Sequence, residues 1–236
     1  MARSTAAKMT VAKTPVAKTG APSLDTKSRP SRRRGKDTFE VILTTAGELL
    51  AEVGFERLTT NLVCERAGLT PPALYRYFPN KYALLKELAQ RLMEAQDKAV
   101  LAWLEAGGTN SSSIEESVAK NRDLQKRINA ITRAFPGGDW ILRALRALPV
   151  LQEVQTASRD MVAQTLFDML KAANPGVAED RLRTATRLTT QMMYAATEMV
   201  LEEPDQDEDQ INEEICWMVA LYYQHLTASG GASRAG

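Results

Sequence analysis

Between residues 58 and 81, this 236-residue chain carries side chains that are suited to contact with DNA. Arg76 has the planar guanidinium that can donate two hydrogen bonds to the O6 and N7 atoms of a guanine. Lys81 has an ammonium group that can meet a phosphate. Hydroxyl and amide side chains that can bond phosphate oxygens or base edges lie nearby, at Thr60, Asn61, Thr70, Tyr75 and Tyr77.

Two short helices joined by a tight turn are needed to hold these side chains together. Apolar residues recur at helical spacing on both sides of the turn, at Leu58, Leu62, Val63, Leu69, Leu74 and Phe78. Gly68 is placed to end the first helix, because glycine enters the left-handed conformation at little cost. Thr70 is a suitable N-cap for the second helix, and Pro71 fits its first position. The pattern predicts a helix-turn-helix whose second helix enters the major groove.

The segment resembles the tetracycline-repressor (TetR) family of bacterial transcription regulators. The residues that carry the resemblance are Thr59–Thr60, Ala67–Thr70, Leu74–Phe78 and Asn80–Lys81, with flanking matches over 45–50, 53–55 and 82–85. The resemblance covers about residues 37–90 and implies that Tyr75 and Tyr77 contact phosphates. It also implies base contacts at the positions held here by Pro71, Pro72, Ala73 and Arg76. Pro72 and Ala73 can offer only apolar contact, for instance to thymine methyl groups, so we expect DNA shape to contribute to specificity.

Two other interpretations of these side chains stay open from the sequence. Tyr75 or Tyr77 could be aromatic residues of the core, and Arg76 could pair with an acidic neighbour of the protein instead of a guanine.

The first 36 residues are a strongly basic segment that we predict to be disordered. They carry ten Lys/Arg and one acidic residue, Asp25, whereas residues 37–236 have a net charge of −8. Low hydrophobicity and mutual repulsion prevent such a segment from folding alone, and it has no apolar stretch typical of a secretory signal. We expect this arm to contribute to phosphate neutralisation through Arg32, Arg33 and Arg34, and to reach a neighbouring minor groove. The alternatives are a solvated tail or a start at Met9.

Beyond the arm the pattern is helical almost to the end, which predicts an all-α fold. Helices are expected near 37–53, 58–66, 71–78, 81–105, 114–134, 139–147, 150–173, 177–202 and 207–227. The predicted organisation is a disordered arm at 1–36, a helix-turn-helix domain at 37–82, a helical effector-binding and dimerisation domain at 83–227, and a disordered tail at 228–236.

Polar residues interrupt an apolar stripe on the helix near 114–134, and this indicates a ligand cavity. Asn121 and Gln125 lie on that stripe, and the resemblance implies that the helix borders the cavity. Other candidates for the lining, by their places on predicted helices, are Trp140, Phe167, Met192 and Tyr194. In the alternative interpretation, Asn121 and Gln125 face solvent and the buried stripe passes through Leu124 and Ile131.

The helices near 177–202 and 207–227 carry apolar stripes, and the resemblance implies that they form the interface of a homodimer. A two-fold dimer also suits the reading of two half-sites on one face of DNA.

These features predict a cytoplasmic, dimeric, sequence-specific DNA-binding transcription regulator, with a repressor released by an apolar small molecule as the leading form. Its partners are a double-stranded DNA operator and a second copy of itself. No cofactor, metal site or membrane segment is expected, because one histidine and two separated cysteines provide no ligand cluster and no apolar run is long enough. Two alternatives remain. The first is a DNA-binding dimer without a small ligand, which is controlled by its abundance or by a protein partner and whose basic arm gives architectural binding. The second is an enzyme with a DNA-binding appendage.

Overall fold

The computed structural model describes residues 23–27, 33–203 and 205–232, and their regular structure is entirely helical, as the sequence predicted. The helices are α1 (Arg33–Arg57), α2 (Thr60–Ala67), α3 (Pro71–Tyr75), α4 (Lys81–Glu105), α5 (Ile114–Ala134), α6 (Gly138–Ala147), a 3-10 turn (Pro149–Leu151), α7 (Gln152–Ala173), α8 (Glu179–Glu202) and α9 (Glu208–Ala232).

Local sequence signals explain where several of these helices begin. The side chains of Thr59, Asn80 and Ser113 accept hydrogen bonds from backbone N–H groups in the first turns of α2, α4 and α5. Gly68 ends α2 with a φ of 63°, the left-handed conformation expected for it. Thr70 is the N-cap residue of α3, although its side chain makes no capping bond.

Among the described residues, two stretches near the chain ends are structured although they lie in segments predicted to be disordered. Helix α1 begins at Arg33, four residues before the predicted start, and residues 23–27 pack against the helix-turn-helix. Helix α9 continues to Ala232, past the predicted end at 227.

The helix-turn-helix head, formed by α1–α3, shares one hydrophobic core with α4 and α6. Phe39 of α1 stacks on Phe78 at a centroid distance of 4.9 Å, and Ile141 and Leu145 of α6 are buried in the same cluster. A Cβ atom added at Gly47 of α1 would lie 2.8 Å from Pro136. The predicted domain boundary near residue 82 therefore crosses a continuous core.

Helices α5, α7, α8 and α9 pack with the C-terminal part of α4 to form the second domain. Within the ranges that the structure describes, none of the helices combines the length and the apolar character needed to cross a lipid bilayer.

Candidate DNA-binding surface and effector cavity

The recognition helix α3 presents an exposed surface with few hydrogen-bonding groups. Pro72, Tyr75 and Arg76 are exposed and Ala73 is half-buried. The guanidinium carbon of Arg76 lies 5.8 Å from the centre of the Tyr77 ring. Arg76 makes no ion pair with any residue that the structure describes, so its donors remain available to a base or a phosphate.

Helix α2 contributes a second set of exposed groups beside α3. Thr60 Oγ1 lies 2.9 Å from the hydroxyl oxygen of Tyr75, and Asn61 is exposed. Arg66, by contrast, forms two hydrogen bonds with the carboxylate of Glu52, at 2.8 and 2.9 Å. These bonds lower the pKa of Glu52 and fasten α2 to α1.

Tyr77 does not fit the predicted role in phosphate contact. Its side chain is 5% exposed, and its ring meets Phe39 edge-on at a centroid distance of 5.7 Å. The alternative interpretation, an aromatic residue of the core, describes it better. Tyr75 and Tyr77 are only two residues apart, and the contact of Tyr77 with α1 is what gives the two rings different environments.

Lys81, the first residue of α4, is held against the end of α1. Its Nζ donates to the carbonyl oxygen of Phe55 at 3.3 Å and lies 4.2 Å from the centre of the Phe55 ring. The side chain is half-buried. Lys81 therefore positions the start of α4 as well as placing a positive charge there.

Residues 23–27 form a clip on the head, beside the turn that follows α3. The backbone N–H of Lys27 donates to the carbonyl oxygen of Tyr77 at 2.8 Å, and Asn80 Nδ2 donates to that of Ser23 at 2.8 Å. Asp25 and Lys86 form an ion pair at 3.0 Å. Of the three arginines assigned to the arm, Arg32 lies outside the described residues, Arg33 is exposed at the start of α1, and Arg34 follows it in the same helix.

The second domain contains a cavity of about 160 Å³ between α4, α5, α7, α8 and α9. Its lining is mostly apolar, and three of the six predicted effector-binding residues belong to it: Asn121, Gln125 and Tyr194. Met193, Thr190 and Trp103, which the sequence pattern did not single out, line it too.

Gln125 is buried, so the alternative in which it faces solvent is wrong for this residue. It is 2% exposed, and its Nε2 donates to Thr197 Oγ1 at 2.6 Å and to the carbonyl oxygen of Met193 at 3.1 Å. Asn121 is half-buried and donates to the carbonyl oxygen of Ser117. Leu124, which the alternative interpretation places on the buried stripe, also lines the cavity.

Tyr194 links the cavity to α4 and α7. Its hydroxyl lies 2.7 Å from Ser158 Oγ, which donates to Asp97 Oδ1 of α4 at 2.7 Å. Burial raises the pKa of Tyr194 to about 12 and raises that of Asp97 above its usual value. Both effects favour the neutral form of each group.

The other three predicted effector-binding residues lie outside the cavity. Trp140 packs against Gly54 between α6 and α1. Phe167 is buried beside Leu182, with the Arg183 guanidinium 4.0 Å from its ring centre. Met192 is 37% exposed on the outer face of α8, because successive helical residues point about 100° apart and its neighbour Met193 takes the inner position.

The spacing of small polar residues on α8 is the signal that would have found Thr190. Thr186, Thr190, Met193 and Thr197 follow one another at three or four residues, so they share one helical face.

Family models match both parts of the chain. The model of bacterial regulatory proteins of the tetR family matches residues 42–88, and that of the tetracyclin repressor-like C-terminal domain matches residues 133–222. The tetracycline repressor protein class C of Escherichia coli is 50% identical over 54 residues, 23% of this chain and 25% of that protein. The class A repressor from transposon 1721, also of Escherichia coli, is 34% identical over 126 residues, 51% of this chain and 57% of that protein.

A solved structure of a SmeT–triclosan complex resembles the fold, with a TM-score of 0.57, 19% identity, and coverage of 79% of this chain and 91% of that chain. The chain spans between a quarter and three-fifths of the length of the two curated repressors. Because the two family models match the helix-turn-helix and the helical domain in turn, the chain belongs to the tetR family of bacterial transcription regulators, a family of regulators and not of enzymes.

Proposed function

We propose that the protein is a dimeric, sequence-specific DNA-binding repressor that an apolar small molecule releases from its operator. The observation that carries this proposal is the course of α4. Its first residue, Lys81, follows the last residue of the recognition helix by six positions and contacts Phe55 of α1 in the head, and its residues Gln96, Val100 and Trp103 form part of the cavity wall. One continuous helix therefore connects the two sites.

The DNA-binding part of the proposal rests on the exposed groups of α2 and α3. Residues 37–81 contain four basic and six acidic residues. Arg66 is paired with Glu52, and Arg57 donates to its own helix at Val53. The head thus retains few free positive charges, and we expect the basic arm to provide much of the phosphate neutralisation. The clip at 23–27 supports this role, because it attaches the arm beside the end of α3.

The dimer is supported by an apolar outer face on α8 and α9. Large apolar side chains are exposed there, at Leu188, Met192, Met199, Met218 and Leu221. A contiguous apolar surface on a helix pair is typical of a protein–protein interface. We expect Met218→Glu combined with Leu221→Glu to yield a monomer in sedimentation experiments, whereas Arg181→Glu, on the exposed surface near the start of α8, leaves the dimer intact. A dimer that persists in the double variant would exclude this interface.

The effector part of the proposal rests on the cavity. Its lining combines apolar side chains with a few oriented polar groups, the composition typical of small-molecule sites. The SmeT complex with triclosan provides a precedent in the same fold. An effector that binds one arrangement of α4 more tightly than the other would shift the spacing of the two heads and lower operator affinity.

Selection of bound fragments from random DNA tests the proposal first. A palindromic motif is the expected result, since a two-fold dimer places two recognition helices on one face of the duplex. Release of that DNA by small apolar compounds then tests the effector. Recovery of unrelated sequences, with binding that salt abolishes steeply, would favour architectural binding by the arm instead.

A further inference from the structure

A cleft between α7 and α8 adjoins the effector cavity. Its volume is about 400 Å³, and three arginines but one carboxylate line it: Arg159, Arg183, Arg187 and Asp160. We call it the arginine cleft. Thr190 lines both the arginine cleft and the cavity, so the two spaces meet at this side chain.

Two buried polar atoms of residues that line the arginine cleft have no hydrogen-bond partner among the described residues. They are Thr190 Oγ1 and Arg159 Nε. Thr190 is only 6% exposed. Its neighbour Thr189 shows the usual arrangement, with Oγ1 bonded to the Ala185 carbonyl oxygen at 2.9 Å and lying 2.8 Å from the Tyr223 hydroxyl. Buried polar groups are nearly always paired, and a ligand atom that enters where the two spaces meet would give the Thr190 hydroxyl the partner that it lacks.

The arginines of the cleft differ in how far they are already engaged. Arg159 donates through Nη2 to Glu198 at 3.1 Å, and its guanidinium carbon lies 5.1 Å from the centre of the Tyr194 ring. The Nε–H group of Arg159 has no partner among the described residues. Arg187 is exposed and forms no ion pair with any described residue.

Arg183 is the most constrained of the three. It donates to Gln164 at 2.9 Å and to Glu179 at 3.5 Å, and its guanidinium covers the Phe167 ring. Donors of the cleft residues that have no partner among the described residues therefore include Arg159 Nε, the Arg187 guanidinium and the Thr190 hydroxyl. Carboxylate and phosphate oxygens are the acceptors that best match such donors.

The cavity itself is not suited to a charged group. Glu198 is the one charged residue in its wall, and its carboxylate already accepts hydrogen bonds from Arg159, Gln155 and Arg146. A ligand with an apolar part and an anionic group would match both linings, with the apolar part in the cavity and the anionic group in the cleft.

We propose that the arginine cleft binds the carboxylate or phosphate head group of an amphipathic ligand whose apolar part occupies the effector cavity. This inference rests on the proposed function, because it assigns a ligand class to the same effector site. The eight-carbon series octanoate, octyl phosphate, octan-1-ol and octylamine tests it, with binding to the full-length protein measured by calorimetry below the micelle concentration of each compound.

At least one of the two anions is expected to bind roughly tenfold or more tightly than octan-1-ol, and the preferred anion identifies the source of the head group. Inorganic phosphate alone is expected to bind weakly, because it lacks the apolar part. Equal affinity for the alcohol and both anions would overturn the head-group site and leave the effector function standing. Binding of none of the four would overturn both.

Two variants locate the head group. Thr190→Val removes a hydroxyl that has no partner, so the folded protein is expected to be as stable as before. Its affinity for the preferred anion should fall roughly tenfold to a hundredfold, whereas its affinity for octan-1-ol stays unchanged. Arg187→Gln should weaken the same anion up to about fivefold, as expected for an exposed charge. Arg181→Gln, on the same helix but outside the cleft, serves as the control.

A carboxylate of a second copy of the chain is the competing occupant, because Leu188 belongs to both the cleft and the exposed apolar face of α8. In that case Arg187→Gln would raise the dissociation constant of the dimer and leave anion binding unchanged. That combination would overturn the proposal.

Discussion

The hydroxyl groups of Thr60 and Tyr75 lie 2.9 Å apart and join the first residue of α2 to the last residue of α3. Both side chains are outside the core, although each belongs to a helix whose inner face is buried. The contact therefore holds the Tyr75 ring in one orientation on the surface that we propose for DNA. It also places two hydroxyl groups where they can share one phosphate oxygen.

We expect Tyr75→Phe and Thr60→Val each to weaken operator binding roughly threefold to tenfold, because each removes a hydroxyl from the proposed phosphate contact. The double variant should lose less than the product of the two effects, since the two hydroxyls act together. Fluorescence anisotropy with the selected operator measures all three variants. Fully multiplicative effects would show that the two groups contact DNA independently.

These variants carry their own control for electrostatics. Neither substitution changes a charge, so the slope of log affinity against log salt concentration should match that of the unsubstituted protein. Thermal unfolding should also be nearly unchanged, because both side chains lie outside the core.

A further prediction concerns the contribution of the arm to the salt dependence of DNA binding. Deletion of residues 1–31 should flatten the slope, by about 0.9 for each phosphate that these residues neutralise in the intact protein. Deletion of residues 1–22 removes four Lys/Arg but keeps the clip, and is expected to flatten the slope less. An unchanged slope after the longer deletion would show that residues 1–31 make no phosphate contact.

Several helix boundaries inside the chain could be predicted from the sequence, because glycine, proline and capping residues mark them directly. Ser113 before α5 and Gly68 after α2 are examples. The shared core of head and second domain was not predictable in this way. It depends on contacts such as Gly47 with Pro136, which are far apart in sequence and carry no local signal.

The sequence predicted only part of the lining of the cavity. Gln125 interrupts an apolar stripe and is buried as expected, but Met192 belongs to a helix with apolar residues on two faces. Among the apolar residues that recur at helical spacing on α8, Leu182, Ala185 and Ala196 are buried, whereas Leu188 and Met192 are exposed on the outer face. Periodicity alone does not separate a core face from an interface face, because both are apolar.

Gly54 of α1 should tolerate a side chain poorly. Its backbone has φ 72° and ψ 172°, a conformation that is nearly restricted to glycine, and an added Cβ would lie 3.0 Å from the Trp140 ring. Gly68 also has a positive φ, of 63°, but an added Cβ there would meet no atom within 4 Å.

This pair of glycines provides a matched test by urea unfolding. Gly54→Ala is expected to cost about 2–4 kcal/mol in unfolding free energy, from strain together with displacement of Trp140. Gly68→Ala should cost only about 1–2 kcal/mol, from the left-handed conformation alone. Equal costs would indicate that Trp140 of α6 moves away from the added methyl group on α1 without a cost in free energy.

The stability of the protein should fall steeply at alkaline pH. Burial raises the pKa values of Tyr194, Tyr223 and Cys216, each to about 12. In the unfolded chain the tyrosines ionise near 10.0 and the cysteine near 9.0. Between these unfolded and folded pKa values, unfolding therefore releases protons. The stability that the three neutral groups provide is fully present below pH 9 and is lost progressively up to pH 12.

Unfolding free energies measured across this window, together with the tyrosinate absorbance of the folded protein, test that expectation. Tyr223→Phe should flatten the decline because it removes one of the three groups. The variant also lacks the hydroxyl that meets Thr189, so its stability at neutral pH should be lower by about 1 kcal/mol. Complete ionisation of all tyrosines near pH 10 in the folded state would contradict the burial of Tyr194 and Tyr223.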